Sequence, residues 1–319
     1  MKLSFVIPCY RSEKTIEGVV SEIKSVVATR PGTDYEIIMV SDHSPDNVYS
    51  VIERMCKADP AHLKGVEFAR NFGQPSALMA GFARASGEIV FSCDDDGQAP
   101  VDAIFALVDK LTGGPYDVVY GTYPVKRHGL LRNLGSDINH WMSVWLIGKP
   151  KNVRASSFFA AKRFIIREML NYSGPYPYLG GLIFRATRAI GTVDVNHRER
   201  ADGTSGYSLA KLVGLWLNGF TAFSVKPLRL ASWAGGFCAL FGFGYGVWTV
   251  LRKLFLHDNI LLGYSSMMSV MLFIGGMLML MLGLIGEYLG RIYICINRSP
   301  QYVIARETDS CGISHEAGK

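Results

Sequence analysis

Three consecutive carboxylates, Asp94, Asp95 and Asp96, are the sharpest chemical signal in the sequence, and Gln98 follows two residues later. Neighbouring carboxylates repel one another unless a cation offsets their charge. Oxygen ligands suit Mg²⁺ or Mn²⁺, which also bridge to substrate phosphates. Because alternate residues of an extended turn point the same way, we expect Asp94 and Asp96 to face one cleft while Asp95 points elsewhere. The run predicts a divalent-metal site, and an acidic surface turn is the alternative.

Two other polar turns follow apolar segments nearer the N-terminus. Pro8 and Tyr10 lie at the end of the first segment, and Asp42 follows the second. In other doubly wound folds an acidic residue after a strand accepts hydrogen bonds from the bound nucleotide. We therefore predict nucleotide contacts at these turns. The alternative for Asp42 is a turn-forming side chain beside Ser44.

Apolar segments alternate with amphipathic ones in the N-terminal part of the chain, which predicts an α/β fold with a Rossmann-like, doubly wound parallel sheet. The pattern indicates strands at Leu3–Cys9, Tyr35–Val40, Gly65–Ala69, Glu88–Cys93 and Tyr116–Tyr120, and helices at Glu13–Ala28, 47–57, Pro75–Arg84 and Val101–Leu111. Ligands of such sheets bind beyond the carboxyl ends of the strands, which is where the polar turns fall.

Two long uncharged segments, 230–251 and about 260–286, predict a pair of transmembrane helices. The first has 22 residues and spans roughly 33 Å as a helix, enough for a hydrocarbon core of about 30 Å. The short connector predicts an antiparallel hairpin, and the excess of Lys and Arg outside it places both termini in the cytoplasm. Two buried helices of a soluble core are the alternative.

The segment before the hairpin, 206–228, places apolar residues on one helical face. This predicts an amphipathic helix lying in the membrane interface, or an ordinary core helix. The expected organisation is a cytosolic α/β domain at 1–205, this interfacial segment, the hairpin at 229–291 and a cytosolic tail at 292–319. The polar end of the tail, from Glu307 onward, is expected to be disordered.

Composition limits the classes of function. The 33 Lys and Arg residues against 27 Asp and Glu give a net charge of +6, which suits an anionic membrane surface or a phosphate-bearing substrate. This charge is too small to indicate nucleic-acid binding. A hydrophobic content of 49% excludes a disordered or collagen-like chain. The six scattered cysteines form no C-x-x-C pair, which favours a reducing compartment.

Short motifs occur in a fixed order along almost the whole chain. They are Pro8, the Asp42 turn, Arg70-Asn71-Phe72-Gly73, the D-x-D with Gln98, His197-Arg198-Glu199-Arg200, Gly203, Ser205, Tyr207, Lys211, Phe223-Ser224, Pro227-Leu228-Arg229 and Gly286-Glu287-Tyr288-Leu289-Gly290-Arg291. This series resembles the inverting family 2 glycosyltransferases with a GT-A fold. Within that family it is similar to the polyprenyl-phosphate branch, the bacterial relatives of dolichol-phosphate mannose synthase.

The resemblance implies a nucleotide-sugar donor, with UDP as the favoured nucleotide and glucose as the candidate sugar. It also implies a polyprenyl-phosphate acceptor such as undecaprenyl phosphate, Mg²⁺ or Mn²⁺ as cofactor, and a homo-oligomer without nucleic acid. The product would be a lipid-linked sugar for modification of cell-surface polysaccharide or lipopolysaccharide, made on the cytoplasmic face of the inner membrane.

Residue roles follow from the resemblance by position. The implied metal ligands are Asp94, Asp96 and Gln98, and the implied donor-binding residues are Pro8, Tyr10, Asp42, Asp94, Asp95 and Gln98. The implied acceptor-phosphate residues are Arg127, Arg132, Arg200 and Lys211, and the implied catalytic set is Asp94, Asp96, Arg200 and Lys211. One departure is the stretch Ala155-Ser156-Ser157-Phe158, which lacks the acidic residue that many relatives carry there.

The chemistry of the acceptor makes that missing carboxylate less important. A phosphate monoester is already anionic near neutral pH, with a second pKa of about 6, so it needs little help from a general base. Direct displacement predicts inversion at the anomeric carbon. Arg200 and Lys211 are expected to offset the repulsion between two anionic substrates, or to bind anionic lipid headgroups instead.

Other functions remain as alternatives. A processive polysaccharide synthase is disfavoured because the chain has no Q-x-x-R-W motif. A non-catalytic, membrane-anchored scaffold that binds nucleotides is the alternative from another class. A channel or transporter subunit is disfavoured because neither apolar segment carries an ionisable residue.

Overall fold

A computed structural model describes residues 1–122, 153, 155–195, 264–297, 299–308 and 314–316, with single residues and short runs between 228 and 255. The chain divides into two compact units. The first unit contains Met1–Lys211 and Arg298–Lys319, and the second contains Leu212–Asn297. The tail therefore belongs to the same unit as the N-terminal part of the chain.

Strands and helices alternate through the first part of the first unit, as the apolar pattern predicts. The elements are β1 (Lys2–Cys9), α1 (Ile16–Ala28), β2 (Asp34–Ser41), α2 (Val48–Ala58), β3 (Leu63–Phe68), α3 (Gln74–Phe82), β4 (Ile89–Ser92), a 3-10 turn (Val101–Ala103), α4 (Ile104–Gly113) and β5 (Val118–Thr122). Pro75 lies in the first turn of α3, where its missing N–H leaves no helical hydrogen bond unmade.

The remaining described elements include α7, which the second uncharged segment predicts, and six others that the apolar pattern does not indicate. They are β6 (Phe159–Lys162), α5 (Arg163–Leu170), α6 (Leu179–Ala186), β7 (Ile190–Asp194), α7 (Tyr264–Ile296), β8 (Ile304–Thr308) and β9 (Ser314–Glu316). The described strands form one nine-stranded sheet in the order β7-β5-β6-β4-β1-β2-β3-β8-β9.

The sheet is mostly parallel, with β1 at its centre between β2 and β4. Leu3, Phe5 and Ile7 of β1 belong to the same buried cluster as apolar residues of α1, α2 and α4. Val6 faces the other side, against α3, where a methyl group on Gly81 would lie 2.2 Å from Val6 Cγ1. Helices on both faces explain why the central strands are mostly apolar, with Ser4 and Glu36 as buried polar exceptions. The carboxyl ends of β1, β2 and β4 therefore share one edge of the sheet.

The predicted parallel sheet is confirmed, with antiparallel pairing at β6 and β8. β6 runs antiparallel to both β4 and β5, with Ser92 opposite Phe159. Because of this direction, the residues just before β6 lie at the carboxyl edge of the parallel strands. β8 is antiparallel to β3.

The expectation of a disordered tail is wrong for the described residues. β8 lengthens the sheet beside β3, and β9 pairs with β8. Arg84 at the end of α3 holds Glu307 with two hydrogen bonds of 2.6 and 2.7 Å. The Gly65 amide donates to Thr308 Oγ1 at 2.9 Å. Glu307, a charged residue of the tail, is therefore bonded to the body of the unit instead of being free in solvent.

One described helix of the second unit is long and apolar enough to cross a membrane. Within α7, the window Phe273–Ile296 has a mean hydropathy of 1.6. The helix continues ten residues beyond Gly286, where the predicted segment ends. The residues described between 228 and 255 are helical as well. A methyl group on Gly235 would lie 2.7 Å from Met281 Cε, so this part of the chain lies close against α7.

Candidate active site

Asp94 lies just beyond β4 and is oriented by two side chains from distant parts of the chain. Gln74 Nε2, in the first residue of α3, donates to Asp94 Oδ1 at 3.0 Å. The Ser157 hydroxyl, just before β6, donates to Asp94 Oδ2. Asp94 remains partly exposed. One carboxylate thus joins three elements at the carboxyl edge of the sheet.

Asp95 points to a different part of the molecule, as alternation along the turn predicts. Its Oδ2 accepts a hydrogen bond from the Tyr10 amide at 2.9 Å, and its carbonyl accepts one from Thr15 Oγ1 at 2.6 Å. Burial, together with the charge of Asp94, raises the pKa of Asp95 to about 6, although the Tyr10 amide works in the opposite direction. Asp95 fastens the turn after β4 to the turn after β1, and direct contact with a donor stays a prediction.

Asp96 and Gln98 flank a tight turn. The Gln98 amide donates to Asp96 Oδ1 at 3.0 Å, and Gly97 between them has φ of 73°, a conformation that favours glycine. Among the described residues no cluster of three or more His, Cys, Asp or Glu side chains lies in metal-binding geometry. Two carboxylates and an amide oxygen still fit Mg²⁺ or Mn²⁺, since such ions keep several waters and take further ligands from substrate phosphates.

Asp42 is buried at the end of β2, with 3% of its surface exposed. Its two carboxylate oxygens accept the backbone amides of Phe72 and Gly73 at 2.6 and 2.8 Å. Burial raises the pKa of Asp42 even though these amides lower it. The alternative prediction of a turn at this position is supported by His43, whose positive φ of 49° is typical of turns. Asp42 therefore fixes the loop between β3 and α3, and a bond to a nucleotide base stays a prediction.

The loop of residues 70–73, which we call the β3–α3 loop, links the two aspartates. Its amides hold Asp42, and Gln74 directly after it holds Asp94. Gly73 has φ of 89°, which lets the chain reverse into α3. Sequence analysis identified this loop as a motif without a role. The role of Gln74 was missed, and its only sequence signal is its position before a helix-starting proline.

The turn after β1 places Tyr10 at the surface, 45% exposed, beside the turn after β2. The Arg11 amide donates to Ser44 Oγ at 2.7 Å, which ties the two turns together. Pro8 lies inside β1, opposite Val40 of β2, and is buried. Tyr10 is thus available to a nucleotide, whereas Pro8 shapes the strand that leads to it.

A cavity of about 210 Å³ lies next to Asp94. Gln74 and Ser157, which each donate a hydrogen bond to Asp94, belong to its wall. Its full lining is Gln74, Pro75, Leu78, Ser92, Tyr120, Ala155, Ser156, Ser157, Phe159, Tyr178, Leu179, Gly180 and Ile183. Apolar walls with a few polar groups are typical of small-molecule sites. The stretch that lacks an acidic residue thus contributes hydroxyl groups beside Asp94.

The four predicted acceptor-phosphate residues lie outside the described residues. They are Arg127, Arg132, Arg200 and Lys211. Almost all of the predicted interfacial segment 206–228 lies outside them as well. The structure links Asp42 to Asp94 through residues 72–74 and Asp95 to Tyr10, while the metal and nucleotide roles of these residues and the roles of the four cations stay predictions.

Two family models match the chain. The model described as Glycosyl transferase family 2 matches residues 4–170, more than half of the chain. The chain belongs to glycosyl transferase family 2. A second model, described as GtrB C-terminal hairpin, matches residues 226–292 of this glycosyltransferase and covers both uncharged segments.

Curated relatives align with this family 2 member over nearly its full length. An undecaprenyl-phosphate 4-deoxy-4-formamido-L-arabinose transferase from Klebsiella pneumoniae (strain 342) is 32% identical over 306 residues, covering 96% of this chain and 93% of the relative. An SfII prophage-derived bactoprenol glucosyl transferase from Shigella flexneri is 29% identical, covering 96% and 98%.

Solved structures confirm the GT-A fold of this glycosyltransferase. Glucosyl-3-phosphoglycerate synthase from Mycobacterium tuberculosis with uridine diphosphate aligns with a TM-score of 0.50 and 22% identity, covering 70% of this chain and 78% of that one. The complex of the same enzyme with Mn²⁺ and UDP-glucose aligns with a TM-score of 0.50 and 21% identity, covering 69% and 77%.

Proposed function

We propose that this protein transfers a sugar from a nucleoside-diphosphate sugar to polyprenyl phosphate, making a lipid-linked sugar for the cell envelope. The observation that supports the proposal is the link that residues 72–74 make between Asp42 and Asp94 at the carboxyl edge of the sheet, in a chain whose relatives are named undecaprenyl-phosphate and bactoprenol sugar transferases. UDP-glucose is the candidate donor, supported by the bactoprenol glucosyl transferase relative.

The donor diphosphate belongs at Asp94, Asp96 and Gln98 in this proposal. These residues would hold Mg²⁺ or Mn²⁺, which, when bound, stabilises negative charge on the departing nucleoside diphosphate. Gln74 and Ser157 keep Asp94 in one orientation. The nucleotide extends toward Asp42 and the exposed ring of Tyr10. Tyr10, Asp42 and Asp94 follow β1, β2 and β4 at the same sheet edge, which supports a single continuous donor site.

The acceptor phosphate attacks without a dedicated carboxylate base. The stretch 155–158, where many relatives carry an acidic residue, instead has Ser157, whose hydroxyl donates to Asp94. An anionic phosphate oxygen needs orientation and charge compensation, and we assign these tasks to Arg127, Arg132, Arg200 and Lys211. Displacement from the side opposite the leaving group inverts the anomeric carbon, so an α-linked donor gives a β-linked product.

The lipid acceptor explains the apolar part of the chain. We assign α7 and the segment around 230–251 to a transmembrane hairpin, with the catalytic unit and both termini in the cytoplasm. Support comes from the apolar window of α7 and the match to the GtrB C-terminal hairpin. The excess of Lys and Arg outside the hairpin favours this orientation.

The test uses the purified full chain with polyprenyl phosphate and a panel of radiolabelled UDP-sugars, with and without EDTA. We expect transfer of one sugar per lipid, with loss of activity in EDTA and recovery on adding Mg²⁺ or Mn²⁺. Asp94→Asn and Asp96→Asn should each lower the rate by about 100-fold or more. Asp102→Asn, an exposed carboxylate on the adjacent 3-10 turn, is the matched control and should stay near wild type.

Other outcomes would contradict particular parts of the proposal. Transfer that continues unchanged in EDTA removes the metal. A polymeric product indicates a processive synthase. Nucleotide binding without transfer to any lipid phosphate indicates a scaffold. An α-linked product from an α-linked donor, identified by NMR, contradicts direct displacement.

A further inference from the structure

The segment after α7 packs against the end of β3, just before the β3–α3 loop. Tyr302 stacks on Phe68, the last residue of β3, with ring centroids 5.3 Å apart and ring planes inclined by 7°. The Ala69 amide donates to the Val303 carbonyl at 2.9 Å, so pairing with the tail continues past the end of β3. These contacts fix the point where the chain leaves the sheet and enters the loop.

Phe68 connects Tyr302 to the loop itself. Phe68 is fully buried, and its ring meets the Phe72 ring edge to face at 5.7 Å. The Phe72 amide donates to Asp42, and Gln74 two residues later donates to Asp94. One loop thus orients both aspartates, and the tail supports that loop through two aromatic contacts.

The strand β8 is held in place by contacts that do not involve the Tyr302 ring. Arg84 pairs with Glu307, Thr308 bonds the Gly65 amide, and Arg306 pairs with Glu67 at 2.6 Å. The Arg84 side chain also interacts with the Tyr302 hydroxyl, whereas the bonds of Thr308 and Arg306 involve no atom of Tyr302. A substitution of Tyr302 therefore tests the support of the loop and not the presence of the strand.

We propose that Tyr302 is a positioning residue for the nucleotide-sugar donor. Its ring supports Phe68 and Phe72, and so keeps the β3–α3 loop in the conformation that orients Asp42 and Asp94. The inference rests on the proposed function, because it takes these two aspartates as donor-binding residues. Tyr302 acts through the loop, and its effect is on donor binding and not on the acceptor.

The experiment compares Tyr302→Ala, Tyr302→Phe and Arg306→Gln in the purified full chain. UDP affinity is measured by calorimetry in the presence of Mg²⁺, and the KM of donor and acceptor are measured separately. Loss of one aromatic stack predicts that Tyr302→Ala weakens UDP binding and raises the donor KM by about 3- to 10-fold, with the acceptor KM unchanged. Tyr302→Phe keeps the ring and restores affinity to within about twofold, which tests the ring apart from the hydroxyl that interacts with Arg84.

Arg306→Gln is the matched control in the same strand. Arg306 contacts Glu67 and Tyr49, not the loop, so UDP affinity should stay at the wild-type value. If Tyr302→Ala does not fold, Tyr302→Leu keeps apolar bulk without a flat ring, and we expect the same weakening.

A lower melting temperature with wild-type UDP affinity in the Ala or Leu variant would overturn the inference, because the tail would then only stabilise the fold. Equal rises in donor and acceptor KM would overturn it as well. Failure of the proposed function has a different signature, since the wild-type chain itself would then neither bind UDP nor transfer sugar.

Discussion

Removing the Ser157 hydroxyl tests whether the orientation of Asp94 matters for sugar transfer. Ser157→Ala deletes one of the two hydrogen bonds described above, the one to Oδ2, and leaves the bond from Gln74 to Oδ1 in place. The carboxylate keeps its charge but loses one of the contacts that orient it. We therefore expect weaker stabilisation of the leaving diphosphate and little change in the stability of the fold.

The size of the effect follows from the type of bond and its exposure. A hydrogen bond to a charged group contributes about 1.5–3 kcal/mol, which corresponds to about 10- to 150-fold in kcat/KM. Asp94 is partly exposed, so water can take over part of the lost interaction. The expected loss is therefore near the lower limit, about tenfold.

The assay is the initial rate of transfer to polyprenyl phosphate at several donor concentrations. Ser157→Thr retains a hydroxyl and should recover most of the rate, whereas Ser173→Ala, an exposed serine after α5, should match wild type. A kcat/KM for Ser157→Ala within twofold of wild type would refute the role of this bond.

Three further predictions concern the stability of the catalytic unit, measured by thermal and denaturant unfolding of the full chain. Burial alone would raise the pKa of Glu36, but hydrogen bonds from Lys64, Ser4 and Ser86 lower it to about 2, so Glu36→Gln should cost about 3 kcal/mol at pH 7. This contribution is complete above the unfolded-state pKa of 4.5 and is lost as the pH falls toward 2, so an equal cost at pH 3 and pH 7 would contradict it. Arg84→Ala, which breaks the partly buried pair with the tail, should cost about 1–2 kcal/mol without changing kcat, and an unchanged melting temperature would count against it. Gly81→Ala places a methyl group 2.2 Å from Val6 and should cost about 1–3 kcal/mol, which a wild-type melting temperature would disprove.

The central strands are predictable from the sequence because a strand that is buried on both faces appears as a short, mostly apolar segment. Residues 3–9 and 35–40 are mostly apolar segments of strand length, and the structure has β1 and β2 there. Pro75 likewise indicates the start of α3 correctly. These signals are local, so no knowledge of the fold is needed to read them.

The strands that the sequence does not reveal depend on distant partners. β6 is only four residues long and β8 carries Arg306 and Glu307, a composition typical of a solvated tail. Those charges are matched by Glu67 and Arg84, more than 200 residues away. Local pattern cannot show a pairing of this kind.

The candidate site also has features that follow from local sequence and features that depend on distant residues. The opposite directions of Asp94 and Asp95 follow from alternation along a turn, which is local. The partners of Asp94 are 20 and 63 residues away, and those of Asp42 are about 30 residues away. Sequence analysis thus identified the carboxylates, while the groups that orient them became visible only in the folded chain.

The place of β8 in the sheet has a consequence for the order in which the enzyme becomes complete. This strand is synthesised after every membrane-spanning candidate, whereas its partner β3 emerges from the ribosome early. Until then β3 presents an unpaired edge, open to association with other nascent chains. Capping of that edge follows the synthesis of both uncharged segments, so a chain whose synthesis stops before residue 304 would hold an unfinished catalytic unit.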